Sequence, residues 1–145
     1  MITFRTAKSE DVHNIRAFIT EIVTEVYGHL IDDIPTTTTE DSLLANSLLA
    51  FRDETLVGVG VTVDDLVDDI WVSPDARGDG VGTELLRRLE KQIVDRGHSV
   101  ARLRVLEANR DARRFYEGLG WIAGKPYMHE RLGPTMINYT KTLLA

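Results

Sequence analysis

Two hydrophobic spacings alternate along the chain. Ile2, Phe4 and Thr6 fall on one side of Thr3 and Arg5, a period of two that predicts a short first strand. From Val12 the period lengthens. Val12, Ile15, Phe18, Ile19, Ile22, Val23 and Val26 recur at helical spacing and predict an amphipathic helix of about four turns. Ser9 stands ahead of it as an N-cap, Glu10 and Asp11 suit a helix N-terminus, and Gly28 supplies a stop. Residues 29–40, with Asp32-Asp33, Pro35 and the threonines Thr36 to Thr39, read as a polar loop too short to link domains. A short helix over 40–45 follows, with Thr39 as its cap.

Next come strand-like runs at 47–52, 56–63 and Leu66–Val72, separated by Asp53-Glu54 and Asp64-Asp65 in hairpin-turn positions. At Pro74 the pattern changes. A glycine-rich loop opens a helix whose Val81, Leu85, Leu89 and Ile93 share one stripe, widened by Leu86 and Val94 and ended by Gly97. Val100–Leu106 alternates again, 108–119 reads as a helix ended by Gly120, and strands are expected at 121–127 and 136–143. Strand, helix and strand from 66 to 106 imply a parallel pair joined by a right-handed crossover. The expected fold is therefore α/β (α+β in some schemes), a mixed sheet covered by helices.

The length of 145 residues suits one domain spanning 1–145 that buries its own core. The chain has no cysteine, which excludes a disulfide framework, a thiolate metal site and a cysteine nucleophile. No His/Asp/Glu spacing resembles a metal site, so no metal is expected. The first residues lack the apolar run of a signal peptide and no stretch approaches membrane-spanning length, so a cytoplasmic protein without a membrane partner is expected. Net charge is −6, which argues against a nucleic-acid partner bound over a broad surface. The charge is uneven: residues 1–74 hold 4 basic and 14 acidic side chains, and residues 75–145 hold 13 basic and 9 acidic. An anionic ligand is better tolerated by the second half, although two solvated faces account for the numbers equally well.

Three groups of residues carry candidate chemistry. Arg77-Gly78-Asp79-Gly80-Val81-Gly82 lies where a strand meets a helix; its glycines permit a tight turn, and the helix N-terminus presents N–H groups and positive potential to a pyrophosphate. It is not a dinucleotide fingerprint, since the third required glycine falls on Thr83, and Gly124-Lys125 is not a Walker loop. The glycines alone fit a ligand-free turn as well as a phosphate site. Asn109 and Tyr116, seven residues apart, fall on one helix face, and Phe115 and Leu119 pair on a neighbouring one. On its own Tyr116 suits a core aromatic. Asp64, Asp65, Asp68 and Asp69 surround the strand that enters the glycine loop; alternation puts Asp68 with Ile70 and Val72, and Asp69 with Trp71.

Together these residues resemble the GCN5-related N-acetyltransferase (GNAT) superfamily over nearly the whole chain. Arg77-x-x-Gly80-x-Gly82 is similar to its acyl-CoA signature, and Asn109, Phe115-Tyr116 and Leu119-Gly120-Trp121 to its second signature. The resemblance implies a GNAT-like, mostly antiparallel sheet of six to seven strands with about four helices, and a central parallel pair that splays apart around acetyl-CoA. It implies that backbone N–H groups of Arg77, Gly78, Asp79, Gly80, Val81, Gly82 and Thr83 bind the pyrophosphate. The backbone of Ile70 and Val72 would pair with the pantetheine arm, and Asn109 would bond it further along. Arg110, Arg113 and Arg114 would meet the 3′-phosphate, with a solvated helix face as the alternative.

Tyr116 would be the general acid beside the thioester sulfur. A phenol is protonated at neutral pH, yet its ordinary value of about 10 is close enough to that of a thiol, about 8.5, to assist a departing thiolate. The acceptor would be a primary amine, of a small molecule or a protein, attacking the thioester directly. Asp68 is the expected base or water relay, with Glu21, Glu25 and the Asp32-Asp33 loop as alternatives. Acceptor selection would fall to Tyr27, His29, residues 32–39 and residues 127–135, with His29 and His129 as polar loop residues. A homodimer is expected by resemblance. The alternative function is a catalytically weak domain that binds acyl-CoA as a sensor; acetylation of charged tRNA fits badly with an acidic first half.

Overall fold

The computed structural model describes residues 1–27, 41–128 and 135–143. Its sheet begins with β1 (Ile2–Thr6), β2 (Leu48–Arg52), β3 (Thr55–Val63) and β4 (Leu66–Val72), an antiparallel meander. Both meander hairpins turn on an aspartate in the left-handed region, Asp53 at φ +54° and Asp64 at φ +56°, a conformation that short polar side chains tolerate. β5 (Val100–Leu106) lies parallel to β4, and β8 (Thr135–Thr142) runs antiparallel along the whole of β5. The short pieces β6 (Ile122–Ala123) and β7 (Tyr127–Met128) both pair with β8. Among the described residues the fold is thus a mixed, mostly antiparallel eight-stranded sheet with one parallel pair, carrying four helices: α1 (Val12–Tyr27), α2 (Asp41–Leu44), α3 (Val81–Asp95) and α4 (Arg110–Gly118).

The helices divide between the two faces as strand alternation requires. Val59 and Val61 of β3 pack with Ile15, Ile19 and Val23 of α1 and with Leu44 of α2. On the other face, α3 sinks Leu85, Leu86, Leu89 and Ile93 into a core shared with Tyr116 of α4 and with Leu103, Val105, Ile137 and Tyr139. Each fully buried aliphatic side chain contributes about 1.5–3 kcal/mol, so burial of this stripe holds α3 in place. Gly60 lets the helix approach: a Cβ there would lie 2.6 Å from Leu89 Cδ1.

Several boundaries differ from the spacing-based expectation, each for a local reason. Ser9 does not cap α1. A 3-10 turn over Ser9–Asp11 comes first, and the Asp11 carboxylate accepts the Lys8 N–H at 2.8 Å. Ser47 falls outside β2 because its hydroxyl donates to Leu44 O at 2.7 Å and closes α2. α4 begins at Arg110, not at 108, with Asn109 as its N-cap. The edge strand expected over 121–127 is broken. Ala123 pairs with Tyr139 but Tyr127 with Met136, a one-residue slip across Gly124, Lys125 and Pro126, where proline has no N–H for the ladder.

β4 carries the most consequential irregularity. Val61 pairs with Asp69 and Thr62 with Val67, leaving Asp68 as the extra residue of a β-bulge. Simple alternation put Asp68 on the face of Ile70 and Val72 in an unbroken strand. The bulge interrupts that parity, so Val67, Ile70 and Val72 all reach the α3 core while Trp71 packs toward α1.

Candidate active site

Among the described residues, β4 and β5 share one ladder pair, Leu66 with Arg102, and then diverge. The apex is locked: Arg102 N–H donates to Asp65 O at 2.9 Å, and the Arg102 guanidinium forks onto the Asp65 carboxylate at 2.9 and 2.7 Å. Hydrogen bonding from Arg102 holds the Asp65 carboxyl below the usual carboxylate range. Above the apex a cleft of about 1090 Å³ opens between the strands.

The backbone of β4 faces this cleft at two positions. Ser73 N–H donates to Val57 O at 2.8 Å. Bonded and non-bonded pairs alternate in an antiparallel ladder, so Trp71 with Val59 and Asp69 with Val61 are the bonded pairs. The N–H and C=O groups of Ile70 and Val72 therefore turn away from β3, toward the side that β5 has vacated. Val72 O there accepts from Arg77 Nη2 at 3.2 Å.

At the open end of β4 the chain makes a 3-10 turn over Pro74–Ala76 and enters α3 through Gly78 (φ +88°) and Gly80 (φ +81°). Both positions are open to solvent, so backbone conformation demands the glycines. The first bond of α3 runs from Glu84 N–H to Gly80 O at 3.0 Å; the N–H groups of Val81, Gly82 and Thr83 precede it and have no acceptor within the helix. Gly78, Gly80, Gly82 and Thr83 line the cleft. At Gly82 a Cβ would lie 3.3 Å from Phe115 Cζ, so glycine admits the Phe115 ring across the helix start.

Side chains of the loop tie it down from outside. Val81 is buried with Ala50, Val57 and Ala76. Asp79 forms an ion pair with Arg52 of β2. Arg77 reaches Glu25 of α1 at 2.7 Å. The side chains of Asp79 and Val81 thus turn away from the cleft, and what these residues can offer a ligand is their backbone.

α4 supplies the other wall. Asn109, Phe115 and Tyr116 line the cleft with Asp68, Ile70 and Val72 of β4. Asn109 Oδ1 accepts the Ala112 N–H at 3.2 Å, which leaves its NH2 end as the donor for a ligand. Tyr116 is buried, its ring edge-on to Phe115 at 5.3 Å and to Trp121 at 6.2 Å, and tilted over Tyr139 at 6.2 Å. Arg110 and Arg114 line the cleft, but Arg113 does not. Its guanidinium bonds Tyr139 Oη at 3.3 Å and Glu107 O at 3.2 Å. Burial, and then the adjacent Glu117 carboxylate, push the Tyr139 phenol above its usual value.

Spacing alone missed Ile22 and Trp71 as lining residues, together with Leu103 and Arg104 of β5. Spacing alone showed Phe115 as half of an apolar helical pair, and the resemblance placed it in the second signature. His29, Asp32, Asp33 and His129 lie outside the described residues, as does the side chain of Tyr27.

Comparison with known proteins gives this architecture a family. The model of the acetyltransferase (GNAT) family matches residues 12–121, and the chain belongs to that family. Over 54 residues it is 37% identical to the thialysine N-epsilon-acetyltransferase of Bos taurus, a match covering 37% of this chain and 32% of that protein. The matched stretch is thus about a third of that relative's length. Among solved structures, the fold is similar to yncA of Salmonella typhimurium, determined with its cofactor acetyl-CoA, at TM-score 0.77 and 19% identity over 100% of this chain and 95% of that one. It is also similar to the paia N-acetyltransferase of Thermoplasma acidophilum in complex with coenzyme A, at TM-score 0.76 and 20% identity over 98% and 99% of the two chains.

Proposed function

We propose that the chain transfers an acetyl group from acetyl-CoA directly to a primary amine, with Tyr116 as general acid. The observation that carries this reading is the splayed pair β4 and β5. It leaves the polar backbone of Ile70 and Val72 facing a cleft that has the N-terminus of α3 at one end and Tyr116 in its wall.

The residues fit an acyl-CoA donor by their chemistry. The N–H groups at the start of α3, with Gly78 and Gly80, suit a pyrophosphate. Ile70 and Val72 suit an amide-bearing arm in the manner of an added strand. Asn109 offers its NH2 end to the same arm, and Arg110 and Arg114 suit a terminal phosphate. When bound, acetyl-CoA supplies an activated acyl carbon and a thiol leaving group. Tyr116 gives its proton to the departing sulfur. The amine loses a proton on attack, and Asp68, in the bulge beside the cleft, takes it directly or through water. The chain has no cysteine to carry the acyl group, and transfer is one displacement within a ternary complex.

Tyr116→Phe tests the acid. A positioned general acid is worth about 10²–10⁴-fold, so kcat should fall at least about 100-fold while acetyl-CoA affinity, read by thermal shift, stays the same. Unchanged kcat would remove Tyr116 from that role.

A further inference from the structure

α4 spans nine residues, Arg110–Gly118, too few to hold its own shape or orientation in water. Something outside it must set its rotation, and with it the placement of Tyr116 in the cleft wall. Tyr139 lies beneath the helix, fully buried, on β8 opposite Leu103 of β5. Packing alone would be satisfied by phenylalanine there, yet the hydroxyl carries two bonds to the helix. Tyr139 Oη donates to Glu117 Oε2 at 2.5 Å and accepts from Arg113 Nε at 3.3 Å. Residues 113 and 117 stand one turn apart and bracket Tyr116. Arg113 continues to Glu107 O at 3.2 Å, just past the end of β5.

We infer that Tyr139 is a positioning residue for Tyr116, acting through Glu117 and Arg113. The inference rests on the reading of Tyr116 as general acid. Tyr139 does not line the cleft, whereas its ring lies 6.2 Å from that of Tyr116, so its hydroxyl acts only through α4. Turning the helix about its axis would break both bonds and strand a buried hydroxyl, which is costlier than the bonds are favourable. Sheet and helix are thereby keyed at one atom. The same strand that pairs with the β5 wall of the cleft also sets the angle of the α4 wall. Proton transfer is sensitive to such placement, since a shift of about 1 Å in a reacting group costs on the order of 100-fold.

Tyr139→Phe keeps the ring and removes the hydroxyl. It should lower kcat about ten-fold or more while acetyl-CoA affinity is unchanged. Introduced on top of Tyr116→Phe, it should leave kcat where the first substitution put it. Glu117→Gln keeps an acceptor for the hydroxyl and should retain most of the turnover, whereas Glu117→Ala should not; Glu117 is exposed, so both variants are expected to fold. Wild-type kcat in Tyr139→Phe, or an equal loss with and without the Tyr116 hydroxyl, would reduce Tyr139 to a packing residue and overturn the inference. Full turnover in Tyr116→Phe overturns the general-acid reading, and this inference with it.

Discussion

Asp11 accepts hydrogen bonds from Arg5 at 2.9 and 3.0 Å and from the Lys8 N–H at 2.8 Å, and these bonds, Arg5 first, hold its carboxyl at about 2 against an ordinary 3.8. A carboxyl depressed by folding contributes stability that is present above the ordinary value and is lost as pH falls through the folded one. The chain should therefore lose stability between pH 3.8 and about 2, and Asp11→Asn should flatten that part of the curve. Urea midpoints across this range read the slope; identical slopes in the two proteins would deny Asp11 the role. Residue identities at the candidate site were legible where chemistry is local. The glycines announce a turn by type, and Asn109 and Tyr116 a shared helix face by spacing. Asp68 and Arg113 were less legible, because a bulge set by pairing with β3 and a hydroxyl arriving from β8 decide where their side chains go. The β3 partners of the bulge lie just across the hairpin from Asp68, whereas Tyr139 stands 26 residues from Arg113.

At the scale of elements, the bounds of β4 and β5 match the expected runs to the residue, although the bulge at Asp68 breaks the alternation within β4, and the α3 stripe of Val81, Leu85, Leu86, Leu89 and Ile93 is buried as its spacing requires. Helix ends and the edge strand were less legible, since caps and register slips depend on single hydrogen bonds. The close packing of α3 on β3 yields a second prediction. In Gly60→Ala the new Cβ would meet Leu89 Cδ1 at 2.6 Å within a fully buried core, and overpacking of this kind costs about 1–3 kcal/mol. Gly118→Ala is the counterpart: nothing lies within 4 Å, and loss of unfolded-state freedom should stabilise by roughly 0.4–1 kcal/mol. Chemical denaturation measures both. A neutral Gly60→Ala would mean that the α3 interface yields without cost.

Across the whole molecule, the order of elements was readable from spacing and turn residues, but the splay of the central strands was not, because it lies between segments that are each regular alone. That splay turns a sheet interior into a cleft. It also gives the charge imbalance a geometry. Arg77, Arg104, Arg110 and Arg114 from the second half line the cleft beside the α3 N-terminus, and Glu25, Asp68 and Asp69 from the first half line it as well. This arrangement suits a polyanionic donor and a cationic acceptor meeting in one cleft. Release of CoA thiol from acetyl-CoA, measured over a panel of primary amines with the acetylated amine identified by mass, tests the proposed activity most directly. The account predicts release that depends on a particular amine and matches the acetylated product one for one. Acetyl-CoA binding without thiol release for any small-molecule, lysyl or N-terminal amine would contradict it.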